Sequence, residues 1–96
     1  MRTHSLPGAD LVKRGITDLG AGVESIESLL VSIGAPRLRI LGCAVPAGFP
    51  NAEVRLYRLL QVTHGDGAHS QFNALVRRLV SHERARAQIQ GAAQGA

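Results

Sequence analysis

Four polar side chains of the last predicted helix, residues 68–90, have the spacing of a binding face. At 3.6 residues per turn they share one side of the helix. They are Arg77, Ser81, Arg84 and Gln88. Arg77 and Arg84 lie one heptad apart, so their guanidinium groups could bind phosphates or an acidic partner. The other interpretation is a solvated face that serves only solubility.

A helix-turn-helix is a second candidate. An amphipathic segment at 23–33, a glycine at Gly34 and a second helical segment at 36–41 follow in the order of that motif. Gly42 cuts the second segment short, which the motif does not favour. An ordinary helical hairpin in a small bundle is the alternative interpretation.

In the helix-turn-helix interpretation, the DNA contacts come from arginines on two elements. Arg37 and Arg39 would face the groove or its phosphates, and Arg77 and Arg84 would add phosphate contacts. The chain is basic, with a net charge of +4 and a pI of about 10.6. That balance favours phosphate-bearing or acidic partners.

His64, Asp66 and His69 form a small cluster with metal-binding side chains. Imidazole and carboxylate groups suit zinc or another transition metal. Their spacing matches no compact metal site, however, and Asp66 is equally explained as a cap of the helix that follows. We therefore predict no metal and no other cofactor.

The sequence contains no catalytic signature. Cys43 is the only cysteine, and beside Ala44 and Val45 it is better explained as a small buried apolar side chain. The chain has no phosphate-cradling glycine-rich loop and no HExxH. Paired carboxylates on a helix are also missing. We expect no enzymatic activity.

Glycines and prolines divide the chain into segments with helical periodicity. The segments are 9–19, 23–33, 36–41, a fourth that begins after Asn51, and 68–90. Gly34 is expected to end the second segment and Pro36 to begin the third. No segment shows sustained strand alternation, so we predict an all-α fold, a compact bundle of four to five helices.

The last helix is predicted to be longer than the core requires. Residues 68–90 would span roughly 34 Å, slightly more than the diameter of so small a domain. The apolar stripe that begins at Phe72 ends at Val80, and residues 81–90 have no apolar stripe. We expect this stretch to project into solvent or to contact another chain.

Length and composition indicate one domain. The chain has 96 residues, of which 45% are hydrophobic, which is ordinary for a packed domain. Residues 9–90 are predicted to form a single helical domain, and 1–8 and 91–96 to be disordered tails. A lone cysteine, no signal peptide and no apolar stretch of membrane-spanning length favour a cytoplasmic location without membrane contact.

These features predict a small non-catalytic protein-interaction module. It would act as a homo-oligomer or as an accessory or regulatory subunit of a larger protein. The alternative function is a helix-turn-helix-like regulator that binds nucleic acid through Arg37 and Arg39.

Overall fold

A computed structural model describes residues 6–95, with side chains described through residue 90. The predicted disordered tail at 1–8 falls largely outside the described residues, because the description begins at Leu6. The side chains of the predicted tail at 91–96 also lie outside them. The backbone of 91–95 is helical, so the last helix continues past its predicted end.

The described residues form an all-α fold with a long C-terminal helix, as predicted. The helices are α1 (Ala9–Gly20), α2 (Ile26–Ile40), α3 (Ala52–His64) and α4 (Ala68–Gly95). A 3-10 turn, Gly65–Gly67, joins α3 to α4 with no other residue between them, and Gly65 turns the backbone there with a positive φ of 55°. Counted as runs of consecutive helical residues, with α3, the 3-10 turn and α4 as one run, residues 6–95 contain three helical stretches and no strand. The expected bundle of four to five separate helices is wrong in this respect.

The second and third predicted segments are one continuous helix, α2. It begins at Ile26 because Ser25 caps it: the Ser28 amide donates to Ser25 Oγ, and the Ser25 amide donates to Ser28 Oγ. Pro36 lies inside the helix and costs it one backbone hydrogen bond. Gly34 is also inside α2, so the turn that the helix-turn-helix prediction required is absent.

Gly34 has a packing function in place of the predicted helix stop. A Cβ atom at this position would lie 2.9 Å from Leu79 Cδ2, so its absence lets α4 approach α2 closely. Gly15 has the same function between α1 and α2, where an added Cβ would overlap Val31 Cγ2 and the Glu27 carbonyl oxygen. Both close approaches depend on the missing side chain.

The central helix of the fold is α2, which packs against each of the other three. Its Leu29, Leu30 and Leu38 are fully buried, and they meet the equally buried Leu56 and Leu60 of α3. Burying a leucine side chain contributes roughly 1.5–3 kcal/mol. The α2–α3 contact is therefore a major part of the hydrophobic stabilisation.

The α4 helix sets the long dimension of the molecule. Its 28 residues span about 42 Å at 1.5 Å per residue, and the molecule measures 47 × 25 × 25 Å. Of the two expectations for residues 81–90, projection into solvent is wrong, and contact with another chain stays a prediction. His82 is 2% exposed, and the Gln90 side chain donates to the Leu41 carbonyl. Polar side chains attach this stretch, which explains why it has no apolar stripe.

Gly15→Ala tests the close approach of α1 and α2. The added methyl must displace Val31 or the backbone of Glu27, and overpacking of this kind costs roughly 1–3 kcal/mol. We expect urea unfolding to show that loss in the free energy of unfolding.

Gly20→Ala is the matched control in the same helix. Its new Cβ meets only Pro46 Cγ, at 3.8 Å. Replacing a helical glycine then stabilises by up to about 1 kcal/mol. Equal effects of the two substitutions would show that helix propensity, and not interhelical clearance, governs position 15.

Candidate functional site

The predicted binding face lies on the outside of α4. Arg77, Ser81, Arg84 and Gln88 are all exposed. The separation of seven positions between Arg77 and Arg84 corresponds to a rise of about 10 Å. We call these four residues the outer face of α4. The helix positions them as the sequence predicts, because its other side is occupied by the core.

The outer face carries positive charge without compensation from its own helix. Glu83 is the only acidic residue of α4, and it lies beside Gly34 and Arg37 of α2. In the described part of the chain, ion pairs form between Arg14 and Asp18 and between Arg55 and Glu24. Neither involves an arginine of the outer face.

Arg37 and Arg39 are exposed but are not brought together with the outer face. Arg39 donates from Nε to the Val45 carbonyl at 3.0 Å and from Nη2 to the Pro46 carbonyl at 2.7 Å. Its guanidinium therefore holds the loop after α2. Arg37 lies near Glu83, on a different side of α4. No described contact joins Arg37 or Arg39 to Arg77 or Arg84, the other arginines predicted to bind nucleic acid.

The metal-capable residues lie at the α3–α4 junction, and all are exposed. Asn73 Nδ2 lies 3.2 Å from His69 Nε2, and the His69 ring packs 6.5 Å from that of Tyr57, centroid to centroid. Among the described side chains, no three His, Cys, Asp or Glu residues group closely enough to hold a metal ion. His64, Asp66 and His69 therefore do not form such a group. Cys43 is buried.

The inner side of α4 contains a buried histidine that the sequence analysis missed. His82 Nδ1 lies 3.0 Å from the Pro7 carbonyl oxygen, and Arg86 Nε lies 2.9 Å from His82 Nε2. The carbonyl can only accept and the guanidinium can only donate. His82 is therefore the neutral tautomer with its proton on Nδ1.

Burial lowers the pKa of His82, and the positive charge of Arg86 lowers it further, against a raising effect of the Pro7 hydrogen bond. A protonated ring would turn a second N–H toward the guanidinium and lose the Arg86 hydrogen bond. Beside it, burial raises the pKa of Glu83, and nearby Arg37 partly offsets this. His82 and Glu83 both lie on the side of α4 that packs against the other helices.

Several concave regions adjoin the helices. A cleft of about 320 Å³ lies between α1 and α4, with Val12, Ile16 and Lys13 on one wall and His82 and Arg86 on the other. We call it the α1–α4 cleft.

A second hollow of about 430 Å³ lies at the start of α3. Ser32, Phe49 and Glu53 are among its lining residues. The Ser32 hydroxyl is already engaged, since Ser32 Oγ donates to the Ser28 carbonyl and accepts from the Phe49 amide. We therefore assign no ligand to this hollow.

No helix within residues 6–95 combines the length and the apolar character needed to cross a membrane. Comparison with protein-family models, curated proteins and solved structures finds no significant match to this chain.

His82 should make stability depend on pH. The unfolded chain binds a proton near the ordinary pKa of 6.5, whereas the folded protein keeps the ring neutral to lower pH. Below 6.5 the unfolded state then holds more protons, so the free energy of unfolding falls as pH falls from 6.5 toward the folded pKa. Thermal unfolding followed by circular dichroism measures this loss.

His82→Gln provides the comparison, because a neutral amide can both donate to Pro7 and accept from Arg86. We expect it to flatten the stability profile just below pH 6.5. His64→Gln, at an exposed position, is the matched control and should leave the profile unchanged. A profile that His82→Gln does not alter would contradict the assignment of His82 as the titrating group.

Proposed function

We propose that the chain is a non-catalytic interaction module that binds an acidic surface of a partner protein, as an accessory or regulatory subunit in the cytoplasm. The observation that supports this is the outer face of α4. Arg77 and Arg84 are exposed there, and the same helix has no carboxylate on that side. Arginine suits this role because its planar guanidinium can bind a carboxylate through two parallel hydrogen bonds.

A heterologous partner fits this face better than a second copy of the chain. In a two-fold dimer built on the outer face, the same patch meets itself, so arginines of one copy would oppose arginines of the other. Juxtaposed like charges disfavour such a contact. The free protein is therefore expected to be a monomer, which light scattering on the purified chain measures.

Nucleic acid is the alternative partner for the same face. Arg77 and Arg84 could contact phosphates without the groove-reading helix that the sequence analysis expected. Arg39 already holds the loop at Val45 and Pro46, so fewer arginines are available to a phosphate backbone. Binding of duplex DNA would fall steeply as salt rises. An acidic protein is favoured because the cationic face is limited to one side of one helix.

Arg84→Glu tests the outer face. The exposed side chain can be reversed in charge with little effect on the fold, and we expect it to weaken capture of a partner from cell extract at least tenfold. A rim charge changes association rate and salt dependence, so the wild-type complex should also weaken with added salt. Quantitative affinity capture with mass spectrometry measures both effects.

Arg58→Glu is the matched control, since Arg58 is an exposed arginine of α3 and the change in net charge is the same. It should leave capture unaltered. Equal loss in both variants would attribute binding to overall charge. A gel shift with duplex DNA that Arg84→Glu abolishes, with no protein captured, would replace the proposal by its nucleic-acid alternative.

A further inference from the structure

We propose that the α1–α4 cleft is a binding site for a small amphipathic carboxylate, a single carboxylate group on a short aliphatic tail. The cleft lies on the inner side of α4, away from the outer face, so the proposal is independent of the partner-binding function. Its volume of about 320 Å³ is at the lower end of the range for small-molecule pockets, roughly 300–1,000 Å³.

The charge of the cleft favours an anion. Lys13 and Arg86 both line it, and none of its lining residues is acidic. His82 contributes no charge, because its hydrogen bonds to Pro7 and Arg86 require the neutral ring. A ligand with one negative charge would thus meet two cations from opposite walls.

Arg86 is held in a position to bind a carboxylate. Its Nε donates to the buried His82, which fixes the plane of the guanidinium. Within the described part of the chain, its two terminal nitrogens have no hydrogen-bond acceptor and no ion-pair partner. A carboxylate accepts well from guanidinium N–H groups, and a charge-assisted bond of this kind is about twice as strong as a neutral one.

The α1 wall carries apolar side chains beside Lys13, and these suit an aliphatic tail. Ile16 supplies the accessible apolar surface because it is only partly buried, whereas Val12 is 3% exposed. Binding of a tail against Ile16 would remove apolar surface from water on both sides. An anion without a tail would leave this apolar surface uncovered.

A carboxylate fits the cleft better than a phosphate. Phosphate sites in proteins usually present free backbone N–H groups. Here both walls are helices, and the amides of the two first-turn residues of α1 that line the cleft are already engaged: Ala9 N donates to the Leu6 carbonyl and Val12 N to the Gly8 carbonyl. The cleft can therefore recognise a ligand through two side-chain cations and through the apolar side chains of its α1 wall.

Titration of the ¹⁵N-labelled full chain with octanoate tests the proposal. We expect saturable shift changes at Val12, Ile16 and Arg86, with the outer face of α4 unaffected. Octanol has the same tail without the charge, and acetate has the charge without the tail. Each should bind at least about tenfold more weakly, because each lacks one of the two contacts.

Two variants locate the carboxylate. Lys13→Gln leaves the fold intact because Lys13 is exposed, and it should weaken octanoate binding about tenfold. Arg14→Gln is the matched control at the adjacent exposed position of α1 and should leave the affinity unchanged. Arg86→Gln should abolish binding, but it also removes the His82 hydrogen bond, so Lys13→Gln decides the result if that variant unfolds.

Several results would overturn the proposal: no saturable shift, shift changes centred outside the cleft, equal affinity for octanol or acetate, or equal effects of Lys13→Gln and Arg14→Gln. Equal octanol binding would mean that the cleft recognises apolar surface alone. Equal acetate binding would mean that it is a simple cationic patch.

Discussion

The close approach of α1 and α4 to the central helix α2 depends on two glycines. Gly15 of α1 lies against Val31 and the backbone of Glu27, and Gly34 of α2 lies against Leu79 of α4. Helix axes normally lie 8–10 Å apart, depending on the side chains at the contact. Where a glycine lies at the contact, the helices can come closer and bury the neighbouring leucines fully. The outer face and the α1–α4 cleft owe their positions to these two contacts.

Two different kinds of contact hold the two halves of α4. From Ala68 to Leu79, apolar side chains join the core shared with α2 and α3. Beyond Leu79, the attachment is through His82, Arg86 and Gln90, which are polar and hydrogen-bonded. Polar attachment of this kind is sensitive to charge state in a way that leucine packing is not. One helix thus combines a half held by apolar packing with a half in which the His82 contacts depend on the ionisation of that ring.

Periodicity and turn composition predicted much of this fold. The all-α class, the start of α4 at Ala68 and the exposure of Arg77, Ser81, Arg84 and Gln88 all follow from local patterns. The predictions that failed concern residues whose role depends on neighbours in space, which local patterns do not show. Gly34 was interpreted as a helix stop because glycine usually is one, but Leu79 needs the space that a side chain would take. Pro36 was interpreted as a helix start, and α2 tolerates it internally.

The candidate sites also differ in whether local sequence patterns or neighbours in space define them. The outer face depends only on helical spacing, so the sequence could define it. His82 was missed because a histidine in a polar stretch resembles a surface residue. The signal was present, however: Leu75, Leu79, His82 and Arg86 continue one line at i, i+4, i+7 and i+11. Only the carbonyl of Pro7, distant in sequence, explains why a histidine is accepted in that line.

The bond between Pro7 and His82 also has a consequence for the order of folding. It joins residues separated by 75 positions, whereas α1–α2 and α3–α4 are hairpin-like pairs of consecutive helices. Closing the longer loop costs more chain entropy, so pairs of neighbours in sequence are favoured to form first. The Pro7–His82 contact is then a late event that closes the assembled bundle. A late contact slows unfolding more than it accelerates folding, so this histidine acts chiefly on the lifetime of the native state.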